Sequence, residues 1–151
     1  MSMQSSTING IGFPIDQLAP RKIRQFILTN RDELHPNRET SNSLAALSQH
    51  GDTVSMDELS ELFDFHLAEA IAEIINSLEH TTMFTGPYAD EDCDTKESLI
   101  YEAGYPFGMT ERDKSLTYED IVEILKKYGF LMGMSESDAA GIDYLTLEYY
   151  G

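Results

Sequence analysis

Hydrophobic positions along this chain recur mainly at helical spacing. Between residues 55 and 80, Leu59, Leu62, Phe63, Leu67, Ala70, Ile71, Ile74, Ile75 and Leu78 fall on one continuous face. "SMDE" at 55–58 opens this run in the form of a capping box, with Ser55 at the cap and Glu58 three residues on. The pattern predicts one helix over 55–80, a rod of about 37 Å at 1.5 Å per residue, as the spine of the fold.

Shorter runs flank it. Asp16 caps a helix that tolerates Pro20 in its first turn, carries Ile23, Phe26, Ile27 and Leu34, and ends before Pro36. A second helix is expected at about 41–49, capped by Ser41 or Asn42 and stopped by Gly51. "TYED" at 117–120 opens another, with Ile121, Ile124, Leu125 and Tyr128 on one side and Lys126 and Lys127 near its end before Gly129. Ser135 caps a last helix. Residues 81–95 read as a long loop and "GYPFGMT" at 104–110 as a turn.

Two stretches are ambiguous: 96–103 fits a helix or a short strand, and "YLTLEYY" at 144–150 alternates like a strand. Residues 1–15 are polar and glycine-containing, so a loosely ordered N-terminal segment is expected ahead of a single helical domain over 16–151. The fold class that follows is mainly α. It is a compact single domain of about five helices around one long central helix (55–80), with room for a small β element near 96–103 or 144–150.

Composition supports one core, because a chain of 151 residues buries about 70% of its unfolded surface. Charge changes the picture more. There are 27 acids against 10 Lys and Arg, a net charge of −17. Residues 1–50 are near neutral at +1, while residues 51–151 carry −18. Such a field repels phosphate, which argues against direct nucleic-acid or anionic-lipid binding, and attracts basic proteins and cations. Cys93 is the only cysteine, no apolar run is long enough to span a bilayer, and no signal peptide is visible, so a cytoplasmic protein is expected.

Candidate chemistry is weighed against that field. In "YADEDCDTKE" at 88–97, Asp90, Asp92 and Asp94 fill positions 1, 3 and 5 of a calcium loop, but position 6 is Thr95 rather than Gly and position 12 is Tyr101 rather than Glu. The surrounding acids also suppress a Cys93 thiolate. His66, Glu69, Glu73 and His80 form a stripe on the expected long helix, yet the local order is the reverse of the usual Glu-x-x-His unit and no second matching helix exists. "LAALSQHGDTVSMDELSELF" at 44–63 has the rhythm of a helix-turn-helix, but its second helix presents acids where DNA readers carry cations and amides. No nucleophile motif or phosphate-binding glycine loop occurs.

The expectation is a non-enzymatic protein, with no metal or cofactor. Its acidic face, Asp57, Glu58, Glu61, Asp64, Asp90, Glu91, Asp92, Asp94 and Glu97, would engage and inhibit a basic, nucleic-acid-binding protein. Nucleic-acid mimics, phage counter-defence proteins and immunity proteins share this physics. The basic cluster Arg21, Lys22, Arg24 and Arg31 is assigned to docking against the chain's own acidic part or a second copy in a homodimer. Two alternatives stand: a secretion or assembly chaperone holding a partner segment, and a metal-dependent enzyme using the His/Glu stripe.

Overall fold

The computed structural model describes residues 5–87, 97–102 and 108–150. Within them the architecture is mixed α and β, which corrects the mainly helical expectation: seven α-helices accompany a four-stranded antiparallel sheet. The strands are β1 (Ser5–Pro14), β2 (Phe84–Thr85), β3 (Ser98–Tyr101) and β4 (Asp143–Tyr150), in the order β2-β3-β1-β4.

The expected loose N-terminus is therefore an inner strand. Ile11 and Phe13 alternate into the core opposite Tyr101 and Leu99 of β3. The glycines that read as looseness have a packing role. A Cβ on Gly12 would lie 2.0 Å from the Leu99 carbonyl oxygen and 2.8 Å from the Ile100 side chain, so β1 and β3 meet only because position 12 is bare. At the other end of the chain the alternation of 144–150 resolves as strand, paired with β1 from Ser5↔Tyr150 to Gly12↔Asp143.

The helices are α1 (Pro20–Thr29), α2 (Arg38–Gln49), α3 (Met56–Leu62), α4 (Leu67–Glu79), α5 (Glu111–Ser115), α6 (Tyr118–Leu131) and α7 (Glu136–Ala140). No single helix covers 55–80. The apolar face is continuous because α3 and α4 bury their faces in the same core, but the backbone turns between them. Asp64 and Phe65 both adopt left-handed conformations, φ 51° and 62°. The corner closes with the Phe65 N–H donating to the Ser60 carbonyl at 2.7 Å. Asp tolerates this region; a phenylalanine there is strained. Hydrophobic spacing alone is blind to such a corner.

Some caps are placed as the sequence asks and others are not: Asp16 lies in a short 3-10 turn and does not cap α1, which starts at Pro20 after Ala19 without a side-chain cap. Ser55 and Glu58 form the expected capping box at α3, and Thr117 with Asp120 does the same at α6. α2 starts earlier than expected, at Arg38, because the Asn37 side chain accepts from the Thr40 N–H at 2.7 Å. α6 runs through Gly129 and stops at Gly133, whose φ of 88° supplies the left-handed residue. There the Met134 N–H donates to the Gly129 carbonyl at 2.8 Å and the Gly133 N–H to that of Phe130 at 3.1 Å, a Schellman pair. α4 is the most buried helix, with Leu67, Ile71, Ile74 and Ile75 fully enclosed, and it packs against β2 and β3. Among the described residues no helix is long and apolar enough to cross a membrane.

Candidate partner-binding surface

The acids expected on one long helix are split by the α3–α4 corner. Asp57 and Glu61 lie exposed on α3, and Asp64 is exposed on the corner itself. Glu58 has local partners: its carboxylate accepts from the Ser55 N–H at 3.2 Å and pairs with His50 Nε2 at 2.7 Å. Ser55, through its side chain and its backbone, holds that carboxyl below its ordinary value.

Between α2 and α4 opens a cleft of about 650 Å³. Glu39 stands on one wall, Asp64 at one end, and Glu69 and Glu73 on the other wall, over a floor that includes Leu34, Phe63 and Ala70. Glu73 accepts from the His35 backbone N–H, and His66 Nδ1 lies 3.0 Å from Glu69. Here four acidic residues from separate features of the sequence line one cleft. The His66/Glu69/Glu73/His80 stripe does not survive as a unit, because His66 caps the start of α4 while His80 ends it in a left-handed conformation, φ 59°. Among the described residues no group of three or more His, Cys, Asp or Glu side chains is placed to hold a metal ion.

Glu97 is turned inward. Its carbonyl accepts from the Ile15 N–H at 3.0 Å, which fixes it just before β3. From there its carboxylate accepts from the Ala68 N–H and from the Ser60 hydroxyl, both at 3.1 Å. It thus ties α3 to the first turn of α4, where the helix dipole favours an anion. Burial pushes this carboxyl above its ordinary 4.5, against the hydrogen bonds that favour its charge. Asp90, Glu91, Asp92 and Asp94 lie outside the described residues.

Of the basic cluster, Arg24 docks within the chain, reaching Asp52 at 3.2 Å and the Leu47 carbonyl at 3.4 Å. Arg21, Lys22 and Arg31 are exposed. Lys22 borders a second groove of about 660 Å³ with Lys127, over Phe26, Leu78 and Leu131.

Two buried carboxylates escaped the sequence reading. Glu79, 8% exposed, accepts from the Tyr128 hydroxyl at 2.6 Å, Lys127 Nζ at 3.0 Å and Arg112 at 3.3 Å. Burial opposes its charge, but the phenol and the two cations outweigh that and hold the carboxyl below its ordinary value, while burial and Glu79 together push the Tyr128 phenol up. Asp113, 2% exposed, accepts from the Tyr101 hydroxyl at 2.8 Å and closes a capping box with Thr110. The spacing Thr110-x-x-Asp113 carried that second signal; nothing in the sequence distinguishes Glu79 from its exposed neighbours. A third group, Tyr118, Asp143 and Tyr144, meets on the surface: the two rings stack at 5.5 Å and the Tyr118 hydroxyl donates to Asp143 at 2.8 Å.

No protein-family model, curated protein or solved structure matches this chain.

Proposed function

We propose that this is a non-enzymatic, cytoplasmic binding protein whose carboxylate surface engages and inhibits a basic, nucleic-acid-binding protein. The observation that carries the reading is how the charges are used. Among the described residues only Glu79 and Asp113 are fully buried acids and Glu97 is half-buried, so most of the others face water. Three of the scarce cations pair within the chain: Arg112 and Lys127 with Glu79, and Arg24 with Asp52. With 27 acids against 10 Lys and Arg the outward field is strongly negative, and Glu39, Asp64, Glu69 and Glu73, which line one cleft, would offer carboxylates to a basic surface.

Affinity capture at low ionic strength, followed by a salt gradient and competition with duplex DNA, tests it. The expected result is a basic nucleic-acid-binding protein whose affinity falls steeply with salt and which DNA displaces. Retention of partners that neither salt nor DNA releases would overturn the reading. Such retention would instead favour a secretion or assembly chaperone. The specific support for that alternative is the apolar groove of Phe26, Leu78 and Leu131, in which Leu131 is 56% exposed.

A further inference from the structure

Strand β4 is an edge of the sheet. β1 pairs along its full length on one side, and among the described residues no strand pairs with the other. On this eight-residue edge alternate residues turn their N–H and C=O away from β1, and apart from the Tyr144 N–H, held by Asp143, they are a template for another strand; natural sheets usually blunt such edges with Lys, Pro or a bulge. The sequence DYLTLEYY contains no Pro and no cation, and its register with β1 is unbroken.

What flanks this edge narrows the occupant. At its start Tyr144, 70% exposed, stacks on Tyr118 of α6 with ring planes 28° apart. Asp143 Oδ1 accepts from both the Tyr118 hydroxyl and the Tyr144 N–H at 2.8 Å, so an anion is held at the margin of two exposed aromatic rings. Glu119 is exposed on the next residue of α6. Aromatic faces beside carboxylates suit a guanidinium or ammonium group. A second copy of this chain fits poorly, because each copy brings a net charge of −17 to the contact.

We propose that β4 receives an extended segment of the basic partner as a fifth strand, with an Arg or Lys of that segment on the Tyr118–Tyr144 stack beside Asp143. The inference rests on the basic-partner reading and gives that partner a docking mode. Main-chain pairing supplies affinity, and the aromatic-acidic pocket selects a cation at one position of the strand.

The probe is a decapeptide of alternating Arg and Val, compared with a peptoid that carries the same side chains and has no backbone N–H. The peptide is expected to bind at least about tenfold tighter than the peptoid, as loss of several backbone hydrogen bonds implies. It should also slow amide hydrogen exchange over residues 143–150. Tyr144→Ala, at a largely exposed position, should weaken peptide binding about threefold. Equal, salt-sensitive binding of peptide and peptoid with exchange in β4 unchanged would overturn the docking mode and leave the basic-partner reading standing. Failure of both probes to bind at low ionic strength would overturn both. A dimer of the protein alone, with β4 already protected, would assign the edge to a second copy and overturn the proposal.

Discussion

Each end of α4 holds an inward-turned carboxylate, by opposite means. At the N-terminal end Glu97 is satisfied by neutral donors, the Ala68 N–H and the Ser60 hydroxyl, and its charge is disfavoured by burial. At the C-terminal end Glu79 is met by Lys127 and Arg112 as well as by the Tyr128 hydroxyl, and its charge is favoured. Arg112 also donates to the Glu79 carbonyl at 3.2 Å, so a cation sits where the helix dipole is negative. A chain with 10 Lys and Arg for 27 acids spends cations where no dipole helps a carboxylate and spares them where one does. Among the described residues most of the remaining acids face water, where they contribute to the outward field.

Breaking the C-terminal end should cost most. Glu79→Ala leaves the buried Tyr128 hydroxyl without its acceptor and unties α6 from α4, and should lower stability by about 2–3 kcal/mol. Urea unfolding followed by tyrosine fluorescence measures this, since the chain has eight Tyr and no Trp. A loss within experimental error would mean that the cluster is not structural. Glu97→Ala removes only the tie at the other end and should cost about 1 kcal/mol, in the range of a lost helix cap. If it cost more than Glu79→Ala, the ranking of the two ends would be reversed.

The pH dependence separates the ends by sign. Glu79 has its folded pKa below the ordinary 4.5, so its stabilisation is fully present above that value and is lost as pH falls through the folded pKa. Glu97 has its folded pKa above 4.5, so the folded state holds the proton more tightly, and stability falls as pH rises from 4.5 through that folded pKa. With rising pH, wild type should therefore gain stability relative to Glu79→Gln below 4.5 and lose it relative to Glu97→Gln above 4.5. Difference profiles with the same slope for both variants would contradict the two environments.

The smallest effect sharpens the N-terminal end. Phe65 is 49% exposed and left-handed, so Phe65→Gly loses little packing and relieves backbone strain. A gain of about 0.5 kcal/mol is expected in the same unfolding assay, the left-handed penalty net of the added chain entropy of glycine. A destabilised variant would show that the phenyl ring packs more than its exposure implies.

Local chemistry was legible at several helix starts, though not at those of α1 and α2. Ser55-x-x-Glu58, Thr117-x-x-Asp120 and Ser135 cap helices as written, and the apolar faces of α1, α4 and α6 are those that spacing predicts. The exposed acids of the surface followed from composition, but the cleft did not, since Glu39 of α2 and Glu73 of α4 come to line it only through the fold. The corner at Asp64–Phe65 was hidden because both helices share one core face. The sheet was hidden because its pairing joins residues 5–12 to 143–150, and because glycine in isolation reads as looseness until a neighbouring strand occupies its missing side chain.

The sequence by itself determined the caps at Ser55, Thr117 and Ser135, the apolar faces and the sign of the outward field, because each depends on neighbours in the chain or on composition alone. Only the tertiary structure decided that residues 5–14 form a strand, that Glu97 turns inward while Glu79 gathers two cations, and that β4 presents an open edge. Each of these depends on contacts between residues dozens of positions apart, whose energies are settled by burial and pairing rather than by local preference.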